Sequence, residues 1–186
     1  MTIPDILASA DQKMTQTVGF SKEEFATIRT GRAHPAMFAK LTADYYGTQT
    51  PLQQLATFSS PEPRTMLITP YDQGAMKAIE KSIRDSDLGV NPSNDGHSIR
   101  IVLPELTQER RKEYTKLART KAEEGKVAIR NVRRGAHEAM KKLEKDKEVS
   151  EDDVTRAVKQ LDTTTKKHID AVDDLLKRKE AELMEV

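Results

Sequence analysis

Proline placement is the strongest constraint on what this chain can fold into. Seven of its eight prolines and five of its eight glycines fall between Gly31 and Pro104, and the 82 residues after Pro104 contain no proline. Proline lacks an amide donor and its ring clashes with the preceding turn, so it breaks helix interiors. The distribution divides the chain into a turn-rich block, 31–104, and flanks, 1–30 and 105–186, that are free to form long helices. The chain crosses between them twice, near Thr30-Gly31-Arg32 and near Leu103-Pro104-Glu105.

In the first flank, Ile3, Leu7, Ala10, Met14, Val18, Phe25 and Ile28 follow one another at helical steps, so one helix is expected over 3–29. Pro4 falls in its first turn, where a missing amide costs nothing, and Gly31 stands where a C-terminal cap is expected. The periodicity resumes after Thr107, a candidate N-cap. Tyr114, Leu117, Ala118, Ala122, Ile129, Val132, Ala136, Met140 and Leu143 carry it to about Lys145. Gly125 and Gly135 interrupt this stretch, each costing about 1 kcal/mol relative to alanine, so its helicity must depend on packing. Ser150 with Asp153 is a capping-type start for a third stripe: Val154, Val158, Leu161, Ile169, Val172, Leu175, Leu176 and Leu183. Three amphipathic helices pack most economically as a three-helix bundle, with an open coiled coil as the alternative.

The central block reads as short strands, at 38–46, 53–59, 65–70 and 99–103, with one helix of about three turns over 76–86. Asp72-Gln73-Gly74 and Asn94-Asp95-Gly96 are turn sequences. Strands, one helix and strands again suggest a small α/β sandwich. The fold class expected is α+β, with the sandwich inserted between the first and second long helices.

With 36% hydrophobic and 33% charged residues, the core must be narrow. There is no cysteine, which removes disulfides, thiolate metal ligands and cysteine nucleophiles. No apolar run approaches the length of a membrane span, and the first residues have neither a basic n-region nor an apolar h-region, so a cytosolic protein is expected. There is no glycine-rich phosphate loop with lysine, no paired zinc-binding histidines and no nucleophile elbow. His34, His97, His137 and His168 have no pairing by spacing, and Asp152-Asp153 and Asp173-Asp174 read as solvated charge. An enzyme requiring a metal or nucleotide is not supported, and no cofactor is expected.

The net charge of +1 conceals an asymmetry. Residues 1–30 carry −1 and 31–104 are neutral, whereas 105–143 carry +6 and 144–186 carry −4. On the second helix Lys112, Lys116, Arg119, Lys126, Arg130, Arg133 and Lys141 recur mostly by three, four or seven, so they share one side, and Arg110, Arg111 and Arg134 widen the strip. From Lys126 to Lys142 the only acid is Glu138. Intrahelical ion pairing accounts for the first half of the strip and poorly for the second. Arginine's planar fork binds phosphate in a bidentate way, so the pattern points to nucleic-acid phosphate. Apart from Tyr114, which belongs to the apolar stripe, the helix has no base-stacking aromatics, which favours structured nucleic acid read by shape and backbone. The competing class is a helical adaptor or chaperone that works through the acidic third helix.

The whole chain also resembles the bacterial ribosome recycling factors. The resemblance rests on Ile28-Arg29-Thr30-Gly31-Arg32-Ala33, Tyr45-Tyr46-Gly47-Thr48, Thr50-Pro51-Leu52 and Ser86-Asp87-Leu88-Gly89-Val90-Asn91-Pro92. It continues through Leu103-Pro104-Glu105-Leu106-Thr107-Gln108-Glu109-Arg110-Arg111-Lys112, Arg130-Asn131-Val132-Arg133-Arg134 and Lys147-Glu148-Val149-Ser150-Glu151-Asp152-Asp153. Gly135 departs from it, standing where the family usually has an acidic residue. The resemblance implies an L-shaped, monomeric, non-enzymatic protein with a bundle domain (1–30 and 105–186) and a sandwich domain (31–104). It implies binding to the post-termination ribosome, with the bundle on large-subunit ribosomal RNA, and splitting into subunits together with elongation factor G and that factor's GTP hydrolysis. Arg29, Arg32, Arg110, Arg111, Arg130, Arg133 and Arg134 are then the candidates for RNA contact carried over by motif, and the cationic strip of the second helix adds Lys116, Arg119 and Lys126. Thr30, Gly31, Arg32, Leu103, Pro104 and Glu105 would form the hinge.

Overall fold

A computed structural model describes residues 1–185. The chain forms two compact units, one made of Met1–Phe25 and the chain from Lys112 onward, the other of Ala26–Arg111.

The first unit consists of three long helices: α1 (Ile3–Ala26), α4 (Gln108–Lys145, from its residue 112 on) and α5 (Glu151–Met184). Two of the three starts are closed by reciprocal caps. Thr2 and Asp5 exchange backbone-to-side-chain bonds at the head of α1, and Ser150 and Asp153 do so at α5. Thr107 caps α4 by accepting from the Arg110 amide at 3.1 Å. Met14, Ile129, Met140, Leu161, Val172 and Leu183 are fully buried along the bundle axis. Each contributes about 1.5–3 kcal/mol through its burial. His168 is also buried, and its Nε2–H donates to Asp11 Oδ1 at 2.8 Å, linking α5 to α1. Helix α1 stops at Ala26, so Gly31 is not its cap. Gly31 instead adopts a φ of +82°, a conformation glycine reaches without strain, beside the Leu106 side chain.

The two glycines of α4 have different environments. Gly125 is buried, and a Cβ there would lie 2.5 Å from Ser21 Oγ and 3.7 Å from Val172 Cγ1, so the glycine lets α1 and α4 approach closely. Gly135 is exposed and a Cβ there would meet nothing within 4 Å. Gly135→Ala is therefore expected to raise stability by about 0.5–1 kcal/mol. Gly125→Ala is expected to lower it by about 1–3 kcal/mol, because overpacking outweighs the gain in helix propensity. Adding Ser21→Ala should recover much of the loss. Thermal unfolding followed by helical circular dichroism measures all three, and an unchanged Gly125→Ala midpoint would contradict the close-approach account.

The second unit holds a four-stranded antiparallel sheet in the order β3 (Ala56–Glu62), β4 (Thr65–Pro70), β6 (Ile99–Val102), β5 (Ser93–Asn94). A separate hairpin, β1 (Thr42–Tyr45) with β2 (Thr48–Pro51), packs through β1 against α3 (Met76–Arg84). Helix α3 places Met76, Ile79 and Ile83 into a core shared with Phe38, Leu52, Met66, Ile68, Ile99, Ile101 and Leu103. Two expected strands begin later than their sequence runs, at Thr42 and Ala56. Pro35–Phe38 is a 3-10 turn, started by His34 Nδ1 accepting from the Ala36 amide, with neighbours Met37 and Phe38 both buried. Leu52–Leu55 is a helical turn, α2, because both leucines must face the core at a spacing of three.

Several turns and caps depend on ionised carboxylates. Backbone amides hold the Asp5, Asp72 and Asp95 carboxyls below their ordinary 3.8, the largest effect coming from the amides of Thr2, Gly74 and Ser98 in turn. The Ser150 hydroxyl, ahead of Arg156, does the same for Asp153. A pKa lowered by folding contributes stability that is present above the unfolded value and lost as pH falls through the folded one. Stability should be flat near neutrality and decline as pH drops below about 4, and Asp153→Ala should shrink the decline. A thermal midpoint that does not change down to pH 3 would contradict this.

Candidate nucleic-acid interface

The candidate cations are distributed over both units. Arg29, Arg32, Arg110 and Arg111 belong to the unit spanning Ala26–Arg111, and Lys116, Arg119, Lys126, Arg130, Arg133 and Arg134 belong to the bundle. On the bundle, burial of Ala118, Ala122, Gly125, Ile129, Ala136 and Met140 fixes which side of α4 faces inward. At 100° per residue, Lys112, Lys116, Arg119, Arg130, Arg134 and Lys141 then fall on the outer flank, and all six are exposed. Lys126 and Arg133 sit lower on that flank, towards α5.

Helix α5 supplies counterions along this edge. Arg119 Nε donates to Glu180 Oε1 at 2.7 Å and Arg133 Nε to Asp162 Oδ1 at 2.7 Å, while Lys126 Nζ pairs with Asp173 and, at 3.4 Å, with Glu123. The bond to Asp173, opposed by partial burial, holds the Lys126 ammonium above its ordinary pKa, so it stays charged. Both arginines are held through Nε alone, which orients the guanidinium and leaves its two terminal amino groups available to a phosphate fork. Arg130 and Arg134, both exposed, form no ion pair or hydrogen bond with any other side chain among the described residues. The arrangement therefore combines free cations with cations pre-oriented by carboxylates. Such a surface can hold anionic backbone by charge.

Asp162, Asp173 and Glu180 are the partners of the strip that the sequence pattern does not identify. Their signal was the −4 of the third helix next to the +6 of the second, a complementarity that acquires meaning only when the helices face each other.

In the other unit, Arg29 is half-buried. Its Nη2 donates to the Pro104 carbonyl at 3.2 Å and its Nε is buried without a partner. Arg111 is also half-buried, with Nε 3.4 Å from the Leu106 carbonyl, whereas Arg32 and Arg110 are exposed. Within this unit the two crossings are bonded to one turn. The Ala33 amide donates to the Pro63 carbonyl and the Leu103 amide to the Arg64 carbonyl, both at 2.7 Å, and Arg64 lies 3.7 Å from Glu105. Among the described residues no group of histidine and carboxylate side chains could hold a metal ion, and no helix is long and apolar enough to cross a membrane.

Residues 21–184 match the family model of the ribosome recycling factor. The chain belongs to that family. It is 60% identical to the ribosome-recycling factor of Cutibacterium acnes over 182 residues, 98% of this chain and 99% of that one. It is 62% identical to that of a Nocardioides species over 184 residues, 99% of this chain and all of the other. Among solved structures, the solution structure of a ribosome recycling factor superposes with a TM-score of 0.82 at 40% identity, over 100% of this chain and 99% of that one. A second represents the T. thermophilus ribosome recycling factor and the E. coli elongation factor G bound to the E. coli post-termination complex. It matches with a TM-score of 0.73 at 44% identity, over 100% of both chains. The α+β class read from proline placement is the class of this family, and a three-helix bundle with a small sheet unit is what the chain forms.

Proposed function

We propose that this chain recycles ribosomes in the cytoplasm. It binds the post-termination ribosome through the α4 face on large-subunit ribosomal RNA. Together with elongation factor G, which hydrolyses GTP, it splits the ribosome into subunits and releases mRNA and tRNA. The chain contributes binding and leverage, as a monomer, without catalysis or a cofactor of its own. One observation carries the reading: an outer helix face where, among the described residues, Arg130 and Arg134 form no ion pair and Arg119 and Arg133 are held through Nε. The structural relative bound beside elongation factor G on a post-termination complex supports the choice of partners.

Thr30, Gly31, Arg32, Leu103, Pro104 and Glu105 are proposed as the hinge. Both crossings are bonded to the Pro63-Arg64 turn, and Arg29 joins one to the other. All six lie within Ala26–Arg111, so bending at one crossing would be coupled through that turn to the other. The adaptor alternative loses support, because three carboxylates of α5 are already engaged by α4.

Light scattering tests the proposal. Post-termination ribosomes given this chain, elongation factor G and GTP should dissociate, whereas the chain alone should leave them intact. Absence of dissociation with all three components, or dissociation by the chain alone, would overturn the reading.

A further inference from the structure

The turn joining β1 to β2 contains an unexpected residue. Tyr45 pairs with Thr48, which leaves Tyr46 and Gly47 as a two-residue loop with φ values of 50° and 83°. Positive φ at both positions is the type I′ geometry, for which Asn-Gly is the favoured sequence. Glycine fits, but a bulky side chain in the left-handed region is strained. The strain brings no burial in return, since Tyr46 is 84% exposed. Asp44 already secures the turn by accepting from the Gly47 amide at 2.8 Å. Neither the turn geometry nor burial explains tyrosine at this position.

The surroundings indicate what it could bind. The Tyr45 and Tyr46 rings meet edge to face, with centroids 4.6 Å apart and planes at 71°. Their hydroxyls converge on one oxygen, Asp72 Oδ2, Tyr45 donating at 2.9 Å and Tyr46 at 3.4 Å, while Asp72 Oδ1 accepts from the Gly74 amide at 2.9 Å. Tyr71, next to Asp72 in the chain, is 71% exposed. Neither Asp44 nor Asp72 forms an ion pair among the described residues. An aromatic face with a fixed carboxylate at its rim attracts a cation, and a planar guanidinium can lie on the ring while its fork meets the carboxylate. The same carboxylates repel phosphate, which disfavours a nucleic-acid strand stacking its bases here.

We propose that Tyr46 and Asp72 form a recognition site for an arginine side chain presented by a basic segment of a partner protein. The site lies in the sheet-containing unit and is separate from the cationic face of α4.

The test uses the full chain labelled with nitrogen-15, the peptide acetyl-Gly-Arg-Gly-Arg-Gly-Arg-amide as probe, and hexauridylate in parallel. The arginine peptide should move the amide signals of Gly47, Asp72 and Gly74. Tyr46→Asn should weaken this binding at least about tenfold while raising the thermal midpoint, since asparagine suits the turn. Tyr46→Phe should bind nearly as wild type. The opposite movement of binding and stability distinguishes a binding role from a structural one. The proposal is overturned if the peptide moves only signals of α5, if hexauridylate and not the peptide moves the turn, or if Tyr46→Asn binds unchanged.

Discussion

Replacing Arg130 and Arg134 together by alanine is expected to weaken binding to large ribosomal subunits by two to four orders of magnitude without unfolding the bundle. A hydrogen bond to a charged group contributes about 1.5–3 kcal/mol, so two amount to about 3–6 kcal/mol, and each 1.4 kcal/mol is tenfold in affinity. Both side chains are exposed and neither has a side-chain partner among the described residues, so stability should change by less than about 0.5 kcal/mol per site. Losing two phosphate contacts should also flatten the dependence of log affinity on log salt by roughly 1.5. Arg133→Ala should lose about ten- to a hundredfold through the same kind of contact. Asp162→Asn should keep the Arg133 charge but loosen its orientation, giving a smaller loss. Sedimentation with purified large subunits across a salt series measures all of these. Wild-type affinity in the double variant, or an affinity indifferent to salt, would remove α4 as the interface.

The second large effect concerns the division of labour between the units. A chain of residues 1–25 joined by a short flexible linker to 112–186 should fold into a helical bundle and still bind large subunits. It should not split ribosomes above background in the presence of elongation factor G and GTP. The bundle is expected to fold because its core is its own: Met14, Ile129, Met140, Leu161, Val172 and Leu183 are all fully buried within it. Splitting should fail because the sheet-containing unit, on which elongation factor G would act, is missing. Circular dichroism reports folding, sedimentation reports binding and light scattering reports splitting. An unfolded bundle would show that the units are not independent. Splitting at the normal rate would show that the second unit is dispensable.

The local features of this protein could be read directly from its residues. Proline placement separated the helical flanks from the central block because a missing amide and a steric clash act within one turn of the backbone. The Thr107 and Ser150 caps, the end of α4 near Lys145 and the strand at Thr65–Pro70 were readable for the same reason, each being set by neighbours within about four residues. The cationic strip of α4 was also visible, since helical period alone places its members on one side.

What lies across from that strip was not readable. Periodicity aligns Lys126, Arg130 and Arg133 without saying that Asp173 and Asp162 of α5 engage the first and last and leave the middle one free. Only the packing of two helices some thirty to fifty residues apart in sequence decides which charges are neutralised. Gly125 and Gly135 look alike in sequence, and they differ because α1 brings Ser21 against one of them. The starts of the runs 38–46 and 53–59 were misread as strand because burial overrode their local pattern. Short-range sterics and hydrogen bonding thus determined which segments are helix, cap or turn. Long-range packing decided which side chains meet, and so which arginines remain unpaired.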